Sequence, residues 1–286
     1  MKILLLGSSG FLGREVRRVF GPDVTLIPVS HSGRGGSRAV DIRNGAALRG
    51  LVDDTKPDVV LLLAAYREPD VCEADPEEAR RLNVAPAKLL TEYLPGSTRL
   101  LFVSTDYVFD GENAPYTEDS SVSPVSVYGE TKVEAEAAIK GRANTTILRI
   151  PLLIGGGSHL SSSGFIGQMV EAIRASEHQK LDDVLMRFPT WTRDVAGAVR
   201  FLVEKETDGL FHYSAPRGAT RYAWTLETAK IIGLSAEHFT PSKEVVQRKA
   251  RRPFNSQLND SKIQSLGYTR HTDFHDVVRT VIGELK

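Results

Sequence analysis

Short, wholly apolar runs alternate along the first half of the chain with stretches whose apolar residues recur every three or four positions. Residues 3–6 are apolar throughout and end at Gly7, as expected of a strand buried on both faces. Over residues 11–20, Leu12, Val16, Val19 and Phe20 share one helical face. The same reading predicts strands over 24–29, 39–41, 59–64, 100–104 and 145–150. It predicts helices over 46–53, 76–94 and 127–140, with Pro76 suited to a first helical turn. A loop rich in Gly, Pro and Ser occupies 110–126. Strands alternating with helices imply an α/β fold: a doubly wound parallel sheet with helices on both faces and its ligand at the carboxyl ends of the strands.

Beyond Pro151 the pattern loosens. Residues 155–157 and 161–164 read as flexible, 165–176 as a helix, 195–203 as amphipathic and 210–214 as a strand. Further helical segments fall near 226–232, 260–266 and 274–285. These divide the chain into a dinucleotide-binding domain, 1–150 with 191–214, and a smaller substrate lobe, 151–190 with 215–286.

Composition narrows the partners. Hydrophobic residues make up 41% and charged residues 25% of 286, enough for a sizeable core. Lys plus Arg equals Asp plus Glu at 36 each, which argues against nucleic acid and for a small-molecule ligand. Cys72 is the only cysteine, so no disulfide forms within the chain. Its acidic surroundings raise a thiol pKa, which marks it as structural. The apolar start is too short for a signal peptide and no run approaches a membrane span. A cytoplasmic location without membrane contact is expected.

Gly7-Ser8-Ser9-Gly10-Phe11-Leu12-Gly13 joins the first strand to the first helix. Free N–H groups and the positive end of the helix dipole suit a pyrophosphate there, and glycines let it approach the backbone. The lysine of a P-loop is missing, and neither Ser8 nor Ser9 stands in a nucleophile elbow. After the second strand come Ser30, His31, Ser32 and Arg34, with no carboxylate before Asp41. A hydroxyl and a guanidinium suit a 2′-phosphate, favouring NADPH, with NADH as the other carrier. Arg34 and Arg38 read equally as loop charges. Asp41 and Ile42 are expected at the adenine edge.

Ser104-Thr105-Asp106-Tyr107-Val108-Phe109 follows a buried strand, and Tyr128 and Lys132 stand four apart on a predicted helix. That spacing puts both side chains on one face. An ammonium near a phenol favours the phenolate and lowers its pKa toward the range of general acid–base chemistry.

On these motifs the chain resembles the extended short-chain dehydrogenase/reductases, a Rossmann-fold family. Within it the resemblance is to dTDP-4-dehydrorhamnose reductases and methionine adenosyltransferase regulatory β subunits. STDYVFDG at 104–111, YGETK at 128–132, LRIPLLIG at 148–155, RFPTWTRDVA at 187–196 and RRPFNSQLNDSKIQSLGY at 251–268 carry it. RFPTWTRDVA and the segment 67–84 lean toward the β subunits. The resemblance implies that Thr105 meets the substrate carbonyl, Tyr128 delivers the proton, and Lys132 holds the nicotinamide ribose. It implies that Gly7, Ser9, Gly10, Phe11, Leu12 and Gly13 line the pyrophosphate. It places Ala64, Ala65, Tyr66, Asn83 and Ile150 along the cofactor. Asp106 and Val108 are expected at the substrate, with Arg252 on a diphosphate and Asn255 and Ser256 hydrogen-bonding it; Arg252 also reads as part of a basic surface turn. The implied reaction is NADPH-dependent reduction of a nucleotide-linked 4-keto-6-deoxysugar, in a protein that could form a homodimer. The alternative is an NADP-loaded regulatory subunit on a methionine adenosyltransferase catalytic subunit.

Two features stay outside this picture. Trp191 reads as pocket lining or as core. His271 and His275 have zinc-like spacing, but Thr272 reads as the helix cap, which leaves His271 outside the helix with no third ligand. No metal is expected.

Overall fold

The computed structural model describes residues 1–22, 24–245 and 247–285. The chain runs β1 (Lys2–Leu6), α1 (Phe11–Val19), β2 (Thr25–Ser30), β3 (Arg38–Ala39), α2 (Gly45–Thr55), β4 (Val59–Leu62) and α3 (Pro69–Ala74). It continues through α4 (Pro76–Asn83), α5 (Ala85–Tyr93), β5 (Arg99–Thr105), α6 (Val127–Ile139), β6 (Thr145–Ile150), β7 (Leu153–Ile154) and α7 (Gly164–Ala175). It closes with β8 (Gln179–Asp182), β9 (Thr190–Trp191), α8 (Thr192–Glu204), β10 (Gly209–His212), α9 (Arg221–Ile232), β11 (Phe239–Ser242), α10 (Ser261–Ser265) and α11 (Phe274–Glu284).

Seven strands form one parallel sheet in the order β10-β6-β5-β4-β1-β2-β3. The chain winds outward from β1 in both directions, so a crevice opens beyond the carboxyl ends of β1 and β4. Strand alternation explains the burial on both faces. Ile3 and Leu5 pack with Leu12 and Val16 of α1 and Val195 and Val199 of α8. Leu4 and Leu6 face the other way, onto Leu48 of α2, Leu90 of α5 and Ile139 of α6. Each such fully buried side chain contributes roughly 1.5–3 kcal/mol. Away from the sheet, α7, α9 and α11 gather around Met169, Trp224 and Phe274, and β8 pairs with β11.

The helix expected over 76–94 is two helices that break at Val84. Pro86 has no N–H to continue the ladder across that point. The six-residue α3 has only Cys72 buried, too little periodicity to show in the sequence. At the far sheet edge a buried ion pair ties α6 to β6. Arg149 Nη2 lies 2.6 Å from Glu136 Oε2, and Nε 3.0 Å from Oε1. Burial and the Arg149 charge pull His212 beside them down to about 3, so it is neutral. Glu136→Gln leaves the Arg149 charge buried without its carboxylate, and should cost about 3–5 kcal/mol of stability. Urea unfolding of the two proteins at pH 7 measures this; equal midpoints would show that the pair is not needed.

Candidate active site

Where β1 meets α1 the backbone itself is close-packed. Gly7 has φ +99°, and a Cβ there would sit 2.7 Å from the Ala64 nitrogen. A Cβ on Gly13 would come 2.2 Å from the Gly7 carbonyl oxygen. Gly10 precedes α1 without any side-chain cap, so the first N–H groups of the helix are left for a ligand. Ser8 faces away, its hydroxyl donating to the Val29 carbonyl at 2.9 Å.

This loop forms one end of a cavity of about 870 Å³. Ser9, Phe11 and Leu12 line it with the three glycines, as do Ser30, His31, Asp41, Ile42, Ala64, Ala65, Tyr66 and Ile150. So do Thr105, Asp106, Tyr128, Lys132 and Arg252. Ser30 and Ser104 are among its lining residues, and their buried hydroxyls have no hydrogen-bond partner among the described residues. A glycine cradle no Cβ could share, an uncapped helix end and two orphaned hydroxyls suit a large polar ligand such as a dinucleotide.

Thr105 ends β5, and Tyr128 and Lys132 occupy successive turns of α6. The first turn of α6 is fixed at three points. Ser126 Oγ accepts from the Gly129 N–H at 3.3 Å, and Glu73 Oε2 accepts from the Val127 N–H at 3.1 Å. A Cβ on Gly129 would lie 2.2 Å from the Tyr107 carbonyl oxygen, so only glycine lets the helix press this closely on the segment after β5. The Lys132 ammonium donates to the Val103 carbonyl at 2.7 Å and lies 3.9 Å above the Phe102 ring. Burial pulls it down to about 7. The half-buried Tyr128 phenol is pushed up from its ordinary value by burial, with the Thr105 hydroxyl opposing. The lowering expected from Lys132 is therefore not seen: its amine is turned to the Val103 carbonyl, and burial governs the phenol.

Asp106 is buried against this corner. Thr105 Oγ1 donates to its Oδ1 at 3.1 Å and Ser256 Oγ to its Oδ2. Burial pushes the carboxyl up to about 6.

Six expected residues do not line the cavity. Arg34 is exposed on a short 3₁₀ turn between β2 and β3. The glycines at 33, 35 and 36 carry the chain outward there. Asn83 is buried behind the wall and clamps Tyr66, accepting from its N–H at 2.8 Å and donating to its carbonyl at 3.1 Å. Val108 is core beneath the loop with Phe109 and Tyr116. Trp191 packs with Ile154 and Ile166, which decides for core. Asn255 caps its own turn through the Gln257 N–H, and Ser256 reaches the site only through Asp106. Arg43, Arg187 and Arg248 line the cavity instead, unannounced by any spacing. Arg43 grips Asp41 at 2.7 and 2.9 Å and also meets Glu78, and its side-chain hydrogen bonds, helped by its charge, hold the Asp41 carboxyl down at about 2.

Asp273, not Thr272, caps α11. Thr272 bonds Asp194 instead, through N–H and hydroxyl at 2.7 and 3.0 Å. His271 pairs with Asp260 at 2.7 Å and His275 with Glu227 at 2.9 Å. No group of three potential metal ligands occurs among the described residues. Cys72 is buried, its thiol pushed up to about 11 by burial and then by Glu73. No helix among the described residues is long and apolar enough to cross a membrane.

The profile of the RmlD substrate binding domain family matches residues 1–286. Methionine adenosyltransferase 2 subunit beta of Xenopus tropicalis is 33% identical over 291 residues, 97% of this chain and 86% of that protein. A probable dTDP-4,6-dihydroxy-2-methyloxan-3-one 4-ketoreductase of Streptomyces antibioticus is 29% identical over 294 residues, 100% and 96% of the two chains. A solved dTDP-4-dehydrorhamnose reductase of Clostridium acetobutylicum superposes with a TM-score of 0.88 at 29% identity, covering 100% and 99%.

The Asp106 carboxyl gives the site a pH signature. Its folded value near 6 exceeds the ordinary 3.8, so the folded state binds more protons than the unfolded state between about pH 4 and 6. Stability contributed by Asp106 is present at the acid end of that window and lost as pH rises through it. Asp106→Asn should remove this contribution, so the difference in unfolding free energy between the two proteins should change across pH 4–6. Denaturant unfolding at several pH values reads it; a pH-independent difference would refute the assignment.

Proposed function

The chain belongs to the RmlD substrate binding domain family, and from that membership we propose that it reduces the 4-keto group of a nucleotide-linked 6-deoxysugar, with NADPH as reductant. The observation that carries the reading is the corner where Thr105, Tyr128 and Lys132 line one cavity with the glycine loop. The similarity to the Streptomyces ketoreductase and the Clostridium reductase supplies the substrate class.

The reduced nicotinamide supplies a hydride when bound. The residues of the chain do the rest. The N–H groups opening α1 hold the pyrophosphate, with Gly7, Gly10 and Gly13 giving it room. Ser30 and His31 take the 2′ end in place of the outlying Arg34. Ala64, Ala65, Tyr66 and Ile150 form the flat wall, with Asn83 bracing Tyr66 from behind. Lys132 turns from the Val103 carbonyl to the ribose hydroxyls. Thr105, whose oxygen accepts from the Tyr107 N–H, turns its one proton from Asp106 to the carbonyl oxygen. Burial keeps the Tyr128 phenol protonated until negative charge develops on that oxygen, and the phenol then gives up its proton. The segments 151–190 and 215–286 act as the substrate lobe.

One observation favours a second role. Identity is higher to the methionine adenosyltransferase β subunit than to the ketoreductase. In that role the same cavity holds NADP and the protein docks on a methionine adenosyltransferase catalytic subunit.

Absorbance of NADPH with dTDP-4-dehydrorhamnose distinguishes the two. Turnover should fall at least about a hundredfold in Tyr128→Phe, the usual contribution of a positioned proton donor. A variant with undiminished turnover sinks the mechanism. NADPH binding without turnover, together with a stable complex with a methionine adenosyltransferase, establishes the second role.

A further inference from the structure

Arg252, the residue expected to meet a diphosphate, is already engaged. Its Nη2 donates to Asp70 Oδ2 at 2.7 Å and its Nη1 to the Ala250 carbonyl at 2.8 Å. That side chain is 10% exposed, and the bonds join the 250–253 segment to α3.

Arg187 is placed differently. Its backbone is fixed by a reciprocal pair of bonds with Ala219, at 2.9 and 3.1 Å, and by the Trp224 indole N–H on its carbonyl at 3.1 Å. One guanidinium nitrogen, Nη1, donates to the Met186 and Pro253 carbonyls at 2.7 and 3.3 Å. Its Nε and Nη2 donate to nothing among the described residues, and no described carboxylate pairs with it. The side chain lines the main cavity beside Thr105, Asp106 and Tyr107. Its charge opposes the rise of the buried Asp106 carboxyl.

Arg248 lines the same cavity and also a neighbouring one of about 320 Å³. No described carboxylate forms an ion pair with it. Its charge adds to the effect of burial on Arg221, a half-buried side chain whose Nε has no partner among the described residues. Carboxylates act on these charges from a distance, Asp106 on Arg187, Asp70 on Arg248 and Asp182 on Arg221, but none pairs with Arg187 or Arg248, so an anion entering the cavity meets two unpaired guanidinium groups. A guanidinium with a rigid backbone and an unused pair of donors matches an oxyanion in particular.

We propose that Arg187 and Arg248 clamp the diphosphate of the substrate, and that Arg252 is a structural tie to Asp70. The clamp rests on the sugar-nucleotide reading and deepens it by assigning the anion its partners.

Titration calorimetry of the full chain with dTDP, thymidine and NADPH tests the clamp. Arg187→Met and Arg248→Met should each weaken dTDP binding by roughly ten- to hundredfold. Thymidine and NADPH binding should be unchanged, and Arg187→Lys should recover part of the loss. Arg187 also holds the Pro253 carbonyl, so its unfolding midpoint is measured alongside. Arg248 makes no such bond, and its variant tests the clamp independently of folding. Undiminished dTDP affinity in Arg248→Met or in folded Arg187→Met overturns the proposal. So does an absence of dTDP binding by the parent protein, or a loss confined to Arg252→Met. The two readings fail separately. Arginine-dependent dTDP binding without ketone turnover keeps the clamp and removes the reductase. Turnover with affinity independent of both arginines keeps the reductase and removes the clamp.

Discussion

Backbone packed directly on backbone sets the geometry on which the rest of the site depends. At Gly13 the first turn of α1 comes so near the Gly7 carbonyl that a methyl group would stand 2.2 Å from its oxygen. At Gly129 the first turn of α6 meets the Tyr107 carbonyl at the same distance. The first contact leaves the uncapped end of α1 facing the crevice, and the second sets Tyr128 against the end of β5. Both occur at the carboxyl edge of the sheet, where parallel strands release their last carbonyls and the chain must turn at once into a helix. The cavity lies between these two turns.

Buried charges away from the cavity are paired: Glu136 takes both ends of the Arg149 fork, and Asp194 collects Thr272 and Arg270. On the cavity wall several polar groups are held short of satisfaction. Lys132 is pulled down toward neutrality, the Asp106 carboxyl is pushed up, and the Ser30 and Ser104 hydroxyls have no partner among the described residues. Such groups lower stability until a ligand compensates them. Their concentration in one cavity is the physical mark of a site, independent of any relative.

Family membership and local chemistry constrain different things. The match over residues 1–286 fixes the family. The relatives include a subunit of another enzyme as well as ketoreductases, so kinship does not choose between turnover and docking. What the chain contributes is a corner of the cavity wall on which Thr105, Tyr128 and Lys132 meet. The arginines differ from the motif-based expectation, because Asp70 has taken Arg252 and Arg187 is left with open donors.

Much of this was legible in the sequence because it is local. Apolar runs mark strands buried on both faces, four-residue spacing puts Tyr128 and Lys132 on one helical face, and a glycine loop after the first strand marks the crevice. These signals need only the period of a strand or a helix. The interruption at Val84 was also encoded locally, in Pro86, though a continuous apolar pattern hid it. Long-range pairing decided the remainder. Arg252 and Asp70 lie 182 positions apart, and Ser256 reaches Asp106 across 150. Whether Arg34 faced the cavity depended on which way three glycines turned a loop, and whether Trp191 was pocket or core depended on the helices laid over it. Periodicity says which residues share a face; only the packing of distant segments says what that face meets, because burial and charge pairing are properties of the assembled surroundings.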